Sequence, residues 1–194
     1  MEKYTLPAQT RIGHVHLKVA DLQRSMDFYC GLLGFELMVR YGEDAAFISA
    51  GGYHHHIGLN TWYSKGQPPA PGKLTGDALL SNVHVSGQQS KDGPSAKMPV
   101  ASSAPGLFHT AILYPERRDL AAILSRLMDH GYPLTGASDH GVSEALYLED
   151  PDGNGVELYW DRPRTQWPLD ESGKLTMFTH RLDIPSLLRE LETT

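Results

Sequence analysis

Hydrophobic and polar positions follow the same succession of patterns twice along this chain. Residues 11–35 begin with a short apolar strand that carries His14, pass a polar break at Asp21, and continue with apolar positions spaced as on one helix face. Residues 106–132 repeat this succession, with His109 in the strand. The helical stripes are Leu22, Met26, Tyr29 and Leu33 in the first half, and Leu120, Ile123, Leu124, Leu127 and Met128 in the second. The chain therefore predicts an internal repeat, with Asp21 as the N-cap of its first helix.

Alternating or apolar runs follow both helices and predict further strands. In the first half the runs are FELMVRYG, AAFISAGG and HHHIGLNTW. In the second half they are an extended stretch near PLTGAS, then EALYLED and GVELYW, of which the last two flank the turn at residues 150–155. Each half thus predicts the order β-α-β-β-β, which is an α+β unit. Because one such unit is too small to stand alone, we expect two paired βαβββ modules that form a cleft between curved mixed β-sheets.

The predicted modules occupy residues 11–62 and 107–162 of a single domain over residues 1–194. Residues 63–106, between them, are rich in glycine, proline, serine and alanine, and predict a flexible insertion. Residues 163–194 are expected to form a C-terminal extension, whose last part, IPSLLRELE, predicts a short helix with proline in its first turn.

Composition and charge narrow the classes of partner. The net charge of −6 argues against a nucleic-acid or anionic-membrane partner, which would require a basic surface. No apolar run approaches the roughly 20 residues of a membrane helix, and the first residues lack the apolar stretch of a signal peptide. The single cysteine, Cys30, favours a reducing cytoplasm. Ten histidines are a high count for one domain, and histidine is the commonest metal-binding side chain.

The strand patterns direct some of these histidines to the sheet face opposite the helix. His14 and His16 alternate with apolar residues of the first strand, and His109 has the same register in the second half. Glu157 lies between apolar neighbours in GVELYW, where a carboxylate that faces a closed core would need a partner.

If His14, His109 and Glu157 converge on one ion, the positions of all three polar side chains on these strands are explained. Two imidazoles and one carboxylate on one side of an ion form the arrangement suited to non-heme Fe(II), with Mn(II) as an alternative metal. The spacing alone leaves a second interpretation open, in which the three are ordinary polar residues on exposed strand faces.

Four segments of the chain, in this order, resemble the vicinal oxygen chelate superfamily. They are GHVHLKVADLQRSMDFYCGLLGFEL, AGGYHHHIGLNTW, LFHTAILYP and SDHGVSEALYLEDPDGNGVELYWDRP. The superfamily includes glyoxalase I, bleomycin-resistance proteins and extradiol ring-cleaving dioxygenases. The triple histidine and the last two segments look most similar to catechol 2,3-dioxygenase-like members.

The resemblance implies an Fe(II)-dependent extradiol dioxygenase that acts on a catechol-type aromatic with O2, and Mn(II) could replace the iron. The implied metal ligands are His14, His109 and Glu157. The implied acid–base residue is His56, with His55 as the alternative in register. His140 and Tyr147, the latter ten residues before the glutamate, are implied to contact the substrate.

Two other functions of the same superfamily stay open at this point. A glyoxalase-type isomerase or lyase commonly has four protein ligands, one of them a carboxylate at the end of the first module, where this chain offers histidines and Asn60. A metal-free binding protein of the bleomycin-resistance kind would leave the three candidate ligands without a shared purpose. Many extradiol dioxygenases contain four modules, whereas this chain has two, so a homodimer that shares a site also stays open.

Overall fold

The computed structural model describes residues 4–67 and 105–192. The chain divides into two compact units, Met1–Gln67 and Pro68–Thr194. Most of the predicted insertion at 63–106 lies outside the described residues. No helix in the described ranges is long and apolar enough to cross a membrane.

The first unit has the predicted β-α-β-β-β order. Its elements are β1 (Val15–Lys18), α1 (Leu22–Met26) with its π-helical continuation (Asp27–Leu32), β2 (Glu36–Tyr41), β3 (Ala45–Ser49) and β4 (Ile57–Asn60). The strand order in the sheet is β1-β4-β3-β2. Strand β1 is parallel to β4, and the other pairs are antiparallel, so the sheet is mixed as expected.

The first helix begins at the N-cap that the sequence predicts. The Asp21 carboxylate accepts a hydrogen bond from the backbone N–H of Arg24 at 3.0 Å, which satisfies one of the free donors of the first turn. The predicted stripe of Leu22, Met26, Tyr29 and Leu33 is buried. The chain leaves the helix at Gly34 with φ +88°, a conformation that favours glycine.

The second unit repeats the order and adds one strand. Its elements are β5 (Thr110–Leu113), α2 (Arg117–Asp129), β6 (Gly136–Asp139), β7 (Ser143–Glu149), β8 (Gly155–Asp161), a 3-10 turn (Arg164–Gln166), β9 (His180–Arg181), α3 (Ile184–Leu188) and a final 3-10 turn (Arg189–Leu191). The strand order is β5-β8-β7-β6-β9, with β5 parallel to β8. The α+β class with two mixed sheets is therefore confirmed, whereas β9 was not predicted.

Helix α2 packs its apolar stripe against the sheet of the second unit. Leu120, Ile123, Leu124 and Leu127 are buried as predicted. Met128, which the pattern assigns to the same stripe, is instead 58% exposed. It lies about 80° around the helix from Leu120, at the edge of the stripe, because successive residues turn by about 100°.

A network of ion pairs around the buried Glu144 joins the C-terminal extension to the sheet and to α2. The carboxylate of Glu144, on β7, accepts hydrogen bonds from Arg117 Nε at 2.8 Å and from Arg162 Nη2 at 2.6 Å. Arg162 also contacts Asp139 Oδ2 at 2.9 Å, and Arg117 contacts Glu190 Oε1 at 2.7 Å. These contacts hold the ends of β6, β7 and β8 to the final turn of the described chain.

Candidate metal centre

Four of the predicted site residues form one continuous chain of polar contacts in the second unit. His109 Nε2 lies 2.8 Å from Glu157 Oε2. The Tyr147 hydroxyl lies 3.0 Å from Glu157 Oε1, and His140 Nε2 lies 2.8 Å from the Tyr147 oxygen. Residues that are separated by as many as 48 positions in the sequence thus meet at one place.

Strand register explains how these side chains come together. His109 immediately precedes β5, where Ala111 is paired with Glu157 of the parallel strand β8. Strand β7 lies on the other side of β8, and its Tyr147 is directly opposite Glu157. Paired residues of neighbouring strands point to the same sheet face, so the ten-residue spacing of Tyr147 and Glu157 is the register of the β7–β8 hairpin.

A glycine allows the start of β5 to approach β8 closely. A Cβ atom added at Gly155 would lie 2.3 Å from the carbonyl oxygen of Phe108 and 3.1 Å from the Cβ of His109. No side chain fits at this position without a backbone shift. The glycine that begins the GVELYW strand is therefore needed for the placement of His109.

The hydroxyl of Tyr147 keeps its proton because it is partly buried and lies beside the carboxylate of Glu157. Burial, together with the negative charge of Glu157 and its hydrogen bond, raises the pKa of Tyr147 well above its usual range. The Glu157 side chain is only 12% exposed. Tyr147 is therefore a hydrogen-bond donor at neutral pH, and its one proton has two acceptors in reach, Glu157 Oε1 and His140 Nε2.

The donor atoms of His109 and Glu157 fit a divalent transition metal. Two ligands about 2.1 Å from one ion and at right angles would be about 3 Å apart, close to the observed 2.8 Å between Nε2 and Oε2. Imidazole and carboxylate are ligands that suit iron and manganese. The buried Nδ1 atom of His109 has no hydrogen-bond partner. Within residues 4–67 and 105–192, no group of three or more His, Cys, Asp or Glu side chains is placed to hold an ion.

The first unit places the other candidate ligand in the equivalent position. His14 immediately precedes β1, as His109 precedes β5. Its ring lies against that of His55, with centroids 4.4 Å apart, and His55 Nδ1 is 2.8 Å from His54 Nδ1. Burial and the neighbouring His14 lower the pKa of His55, which favours a neutral imidazole.

The three consecutive histidines do not follow the strand alternation expected of them. Strand β4 begins only at Ile57, so His54, His55 and His56 lie in the irregular segment before it, where alternation does not apply. His56 Nδ1 is 2.9 Å from the Ser49 hydroxyl. His55, and not His56, thus lies beside the candidate ligand His14. This contact favours His55 as the acid–base residue, while a catalytic role for His56 stays a prediction.

The two sheets differ at the position of the glutamate. In the second unit one row across the strands is Ala111, Glu157 and Tyr147, whereas the equivalent row in the first unit is His16, Gly58 and Phe47. A Cβ atom at Gly58 would lie 2.8 Å from Cδ2 of His16, so the histidine ring covers the space that a carboxylate takes in the other sheet. The first unit therefore offers no carboxylate at this position.

Comparisons with known proteins agree with this architecture. The model of the glyoxalase/bleomycin resistance protein/dioxygenase superfamily matches residues 11–158. The chain is 36% identical over 181 residues to a catechol-2,3-dioxygenase of Bacillus subtilis, and the match covers 93% of this chain and 52% of that protein. It is 27% identical over 156 residues to a biphenyl-2,3-diol 1,2-dioxygenase of Rhodococcus globerulus, with 80% of this chain and 65% of that protein covered. The chain thus spans between about half and two thirds of the length of these relatives.

The fold also resembles that of a solved structure. A glyoxalase/dioxygenase from Nostoc punctiforme matches with a TM-score of 0.55 at 14% identity, over 84% of this chain and 99% of that one.

Proposed function

This chain belongs to the glyoxalase/bleomycin resistance protein/dioxygenase superfamily, and from that premise we propose that it is an extradiol dioxygenase. Its substrates would be O2 and a catechol-type aromatic, as the names of its relatives suggest. The observation that carries the proposal is the contact chain from His109 through Glu157 and Tyr147 to His140. It joins the two candidate metal ligands to two groups that can hold the oxygens of a substrate.

The proposed metal ligands are His109 and Glu157, with His14 of the first unit as the third. Fe(II) is the proposed metal and Mn(II) the alternative. When bound, the ion would supply the Lewis acidity that lowers the pKa of a catechol hydroxyl and the redox capacity that O2 chemistry requires.

The remaining residues have roles that follow from their hydrogen-bonding capacity. Tyr147, which keeps its proton, donates a hydrogen bond to an ionised substrate oxygen. His140 Nε2, beside the Tyr147 hydroxyl, helps to orient the same oxygen. His55, whose pKa is lowered, is neutral at physiological pH and can take a proton from the substrate and return it to the product.

The alternative functions account for fewer of these observations. A four-ligand isomerase would need a carboxylate in the first sheet, and the position equivalent to Glu157 there is Gly58. A metal-free binding protein would give no reason for a partly buried His109–Glu157 pair joined to Tyr147. The cytoplasmic location and the homodimer stay predictions.

The proposal is tested by anaerobic loading with Fe(II), addition of catechol and admission of O2. We expect O2 consumption and a yellow ring-opened product, which His109→Ala abolishes. His130→Ala is the matched control, because this exposed histidine follows α2, with its Nδ1 2.8 Å from the Arg126 carbonyl oxygen, and has no part in the proposed site. Iron-loaded protein that consumes no O2 with a panel of substituted catechols would overturn the proposal, and turnover of a glutathione hemithioacetal would favour the isomerase.

A further inference from the structure

We propose that the C-terminal extension is a working part of the site, because Phe178 and Thr179 fix the orientation and the protonated nitrogen of His140. The catalytic consequence rests on the proposed function, in which His140 orients a substrate oxygen. The structural claim, that the extension determines which ring nitrogen carries the proton, stands independently of that function.

The contacts of His140 define the tautomer. Its Nδ1 lies 3.1 Å from the backbone carbonyl oxygen of Phe178 and 3.3 Å from the Thr179 hydroxyl. A carbonyl oxygen can only accept a hydrogen bond, so Nδ1 carries the proton and donates it. Nε2 of the neutral ring is then an acceptor, and it takes the single proton of the Tyr147 hydroxyl, 2.8 Å away, so that in this tautomer Tyr147 donates to His140 and not to Glu157. The extension thus supplies the second partner that holds the imidazole in place.

Strand pairing and close packing hold the extension against the turn that carries His140. Strand β9 pairs with β6, with His180 opposite Asp139, and the Phe178 ring stacks on that of His180 at 4.3 Å. A Cβ atom at Gly141 would lie 2.6 Å from Cε1 of Phe178 and 2.9 Å from Cγ of Pro168. Gly141 also has φ +76°. A glycine is therefore favoured there both by the close approach of Phe178 and Pro168 and by the backbone conformation.

The turn that carries His140 is held from its other side as well. Asp139 Oδ1 accepts a hydrogen bond from the backbone N–H of Gly141 at 2.8 Å, and Oδ2 accepts one from Arg162 at 2.9 Å. The turn is therefore fixed between the ion-pair network and the extension.

The extension is not a requirement of the repeated module. Strand β2 is the counterpart of β6 in the first unit, and within the described residues it pairs only with β3. The β-α-β-β-β order is complete there without a further strand. The second sheet has an additional strand, β9, beside β6, and the first sheet has no counterpart beside β2 in the part of the chain that the structure describes. A role of β9 in holding His140, the residue that follows β6, would explain this difference.

The wild-type protein itself gives the first test. Long-range 1H–15N correlation spectra of the imidazole rings, recorded at mildly alkaline pH, report which nitrogen of each histidine is protonated, and His140→Gln identifies the His140 signals. We expect the Nδ1–H form. A neutral His140 protonated on Nε2 would overturn the proposal, whether or not the protein is a dioxygenase.

Two variants and one control test the cause. Phe178→Ala removes the packing on Gly141, and Thr179→Val removes only the hydroxyl. Met177→Ala, at an exposed residue of the same segment, is the control. We expect Phe178→Ala to give a mixture of tautomers and to lower kcat with catechol on the order of tenfold at unchanged metal affinity, since small misplacements of reacting groups are costly.

The outcomes separate the two proposals. Thr179→Val folds even if Phe178→Ala does not, and we expect it to shift the His140 Nδ1 resonance while Met177→Ala does not. Unchanged imidazole spectra in both Phe178→Ala and Thr179→Val would overturn the inference. A protein with the expected tautomer and no reaction with any catechol would contradict only the proposed function.

Discussion

Replacement of Gly155 by alanine should disable the site through the backbone of a neighbouring strand. The added Cβ atom would lie 2.3 Å from the Phe108 carbonyl oxygen, which is 0.7 Å short of the 3.0 Å that real Cβ contacts reach. The atom in its way belongs to the backbone, so rotation of a side chain cannot relieve the overlap. The backbone at Phe108 and His109, just before β5, must separate from the start of β8 by about this distance.

The size of the effect follows from this displacement. Overpacking of this kind costs about 1–3 kcal/mol of folding free energy. A misplacement that approaches 1 Å at a reacting group can cost on the order of 10²-fold in rate. We therefore expect Gly155→Ala to stay folded at moderate temperature, to unfold at a lower temperature than wild type, and to lose about 10²-fold in kcat/KM together with much of its metal affinity.

Thermal unfolding, metal titration and O2 uptake on the same preparation separate these effects. Gly106→Ala is the control, because a Cβ atom at Gly106, only three residues before His109, meets nothing within 4 Å. We expect Gly106→Ala to behave as wild type. Gly155→Ala with wild-type stability, metal affinity and rate would refute the reasoning that this glycine positions His109.

Two further predictions concern the ion-pair network and the choice between adjacent histidines. Glu144→Ala removes the carboxylate, only 4% exposed, that Arg117 and Arg162 share, and it should lower the free energy of unfolding by about 1.5–3 kcal/mol in urea titrations, because two partly buried arginines each lose one charged hydrogen-bond partner and keep Glu190 and Asp139; a loss under about 1 kcal/mol, as for surface pairs, would be inconsistent with it. His55→Ala should lower kcat by about 10²–10⁴-fold, as expected for loss of an acid–base group, whereas His56→Ala should not; the reverse result would restore His56 as the acid–base residue.

Local patterns account for the part of the fold that the sequence predicted correctly. The stripe from Leu22 to Leu33, the Asp21 cap and the Gly34 terminus are all encoded within a few residues of one another, and helix α1 and its continuation follow them. The strand that contains Glu157 was predicted in the same way. Side-chain alternation then gave the face on which the candidate ligands lie.

Contacts between distant residues account for what the sequence did not predict. Arg117 contacts Glu144 and Glu190, which are 27 and 73 positions away, and no local pattern indicates these pairs. Strand β9 is two residues long and lies in a segment without clear alternation. The histidine triplet was misjudged as strand because apolar residues follow it directly, although β4 begins only at Ile57.

The central claim is that the imidazoles of His14 and His109 and the carboxylate of Glu157 bind one metal ion. X-ray absorption at the iron edge, measured on anaerobically loaded protein, counts the imidazole rings around the ion. The account predicts two rings in wild type and in His130→Ala, and one ring in either His14→Ala or His109→Ala where iron is retained. A spectrum without imidazole scattering, or one that neither substitution at residues 14 and 109 changes, would contradict it.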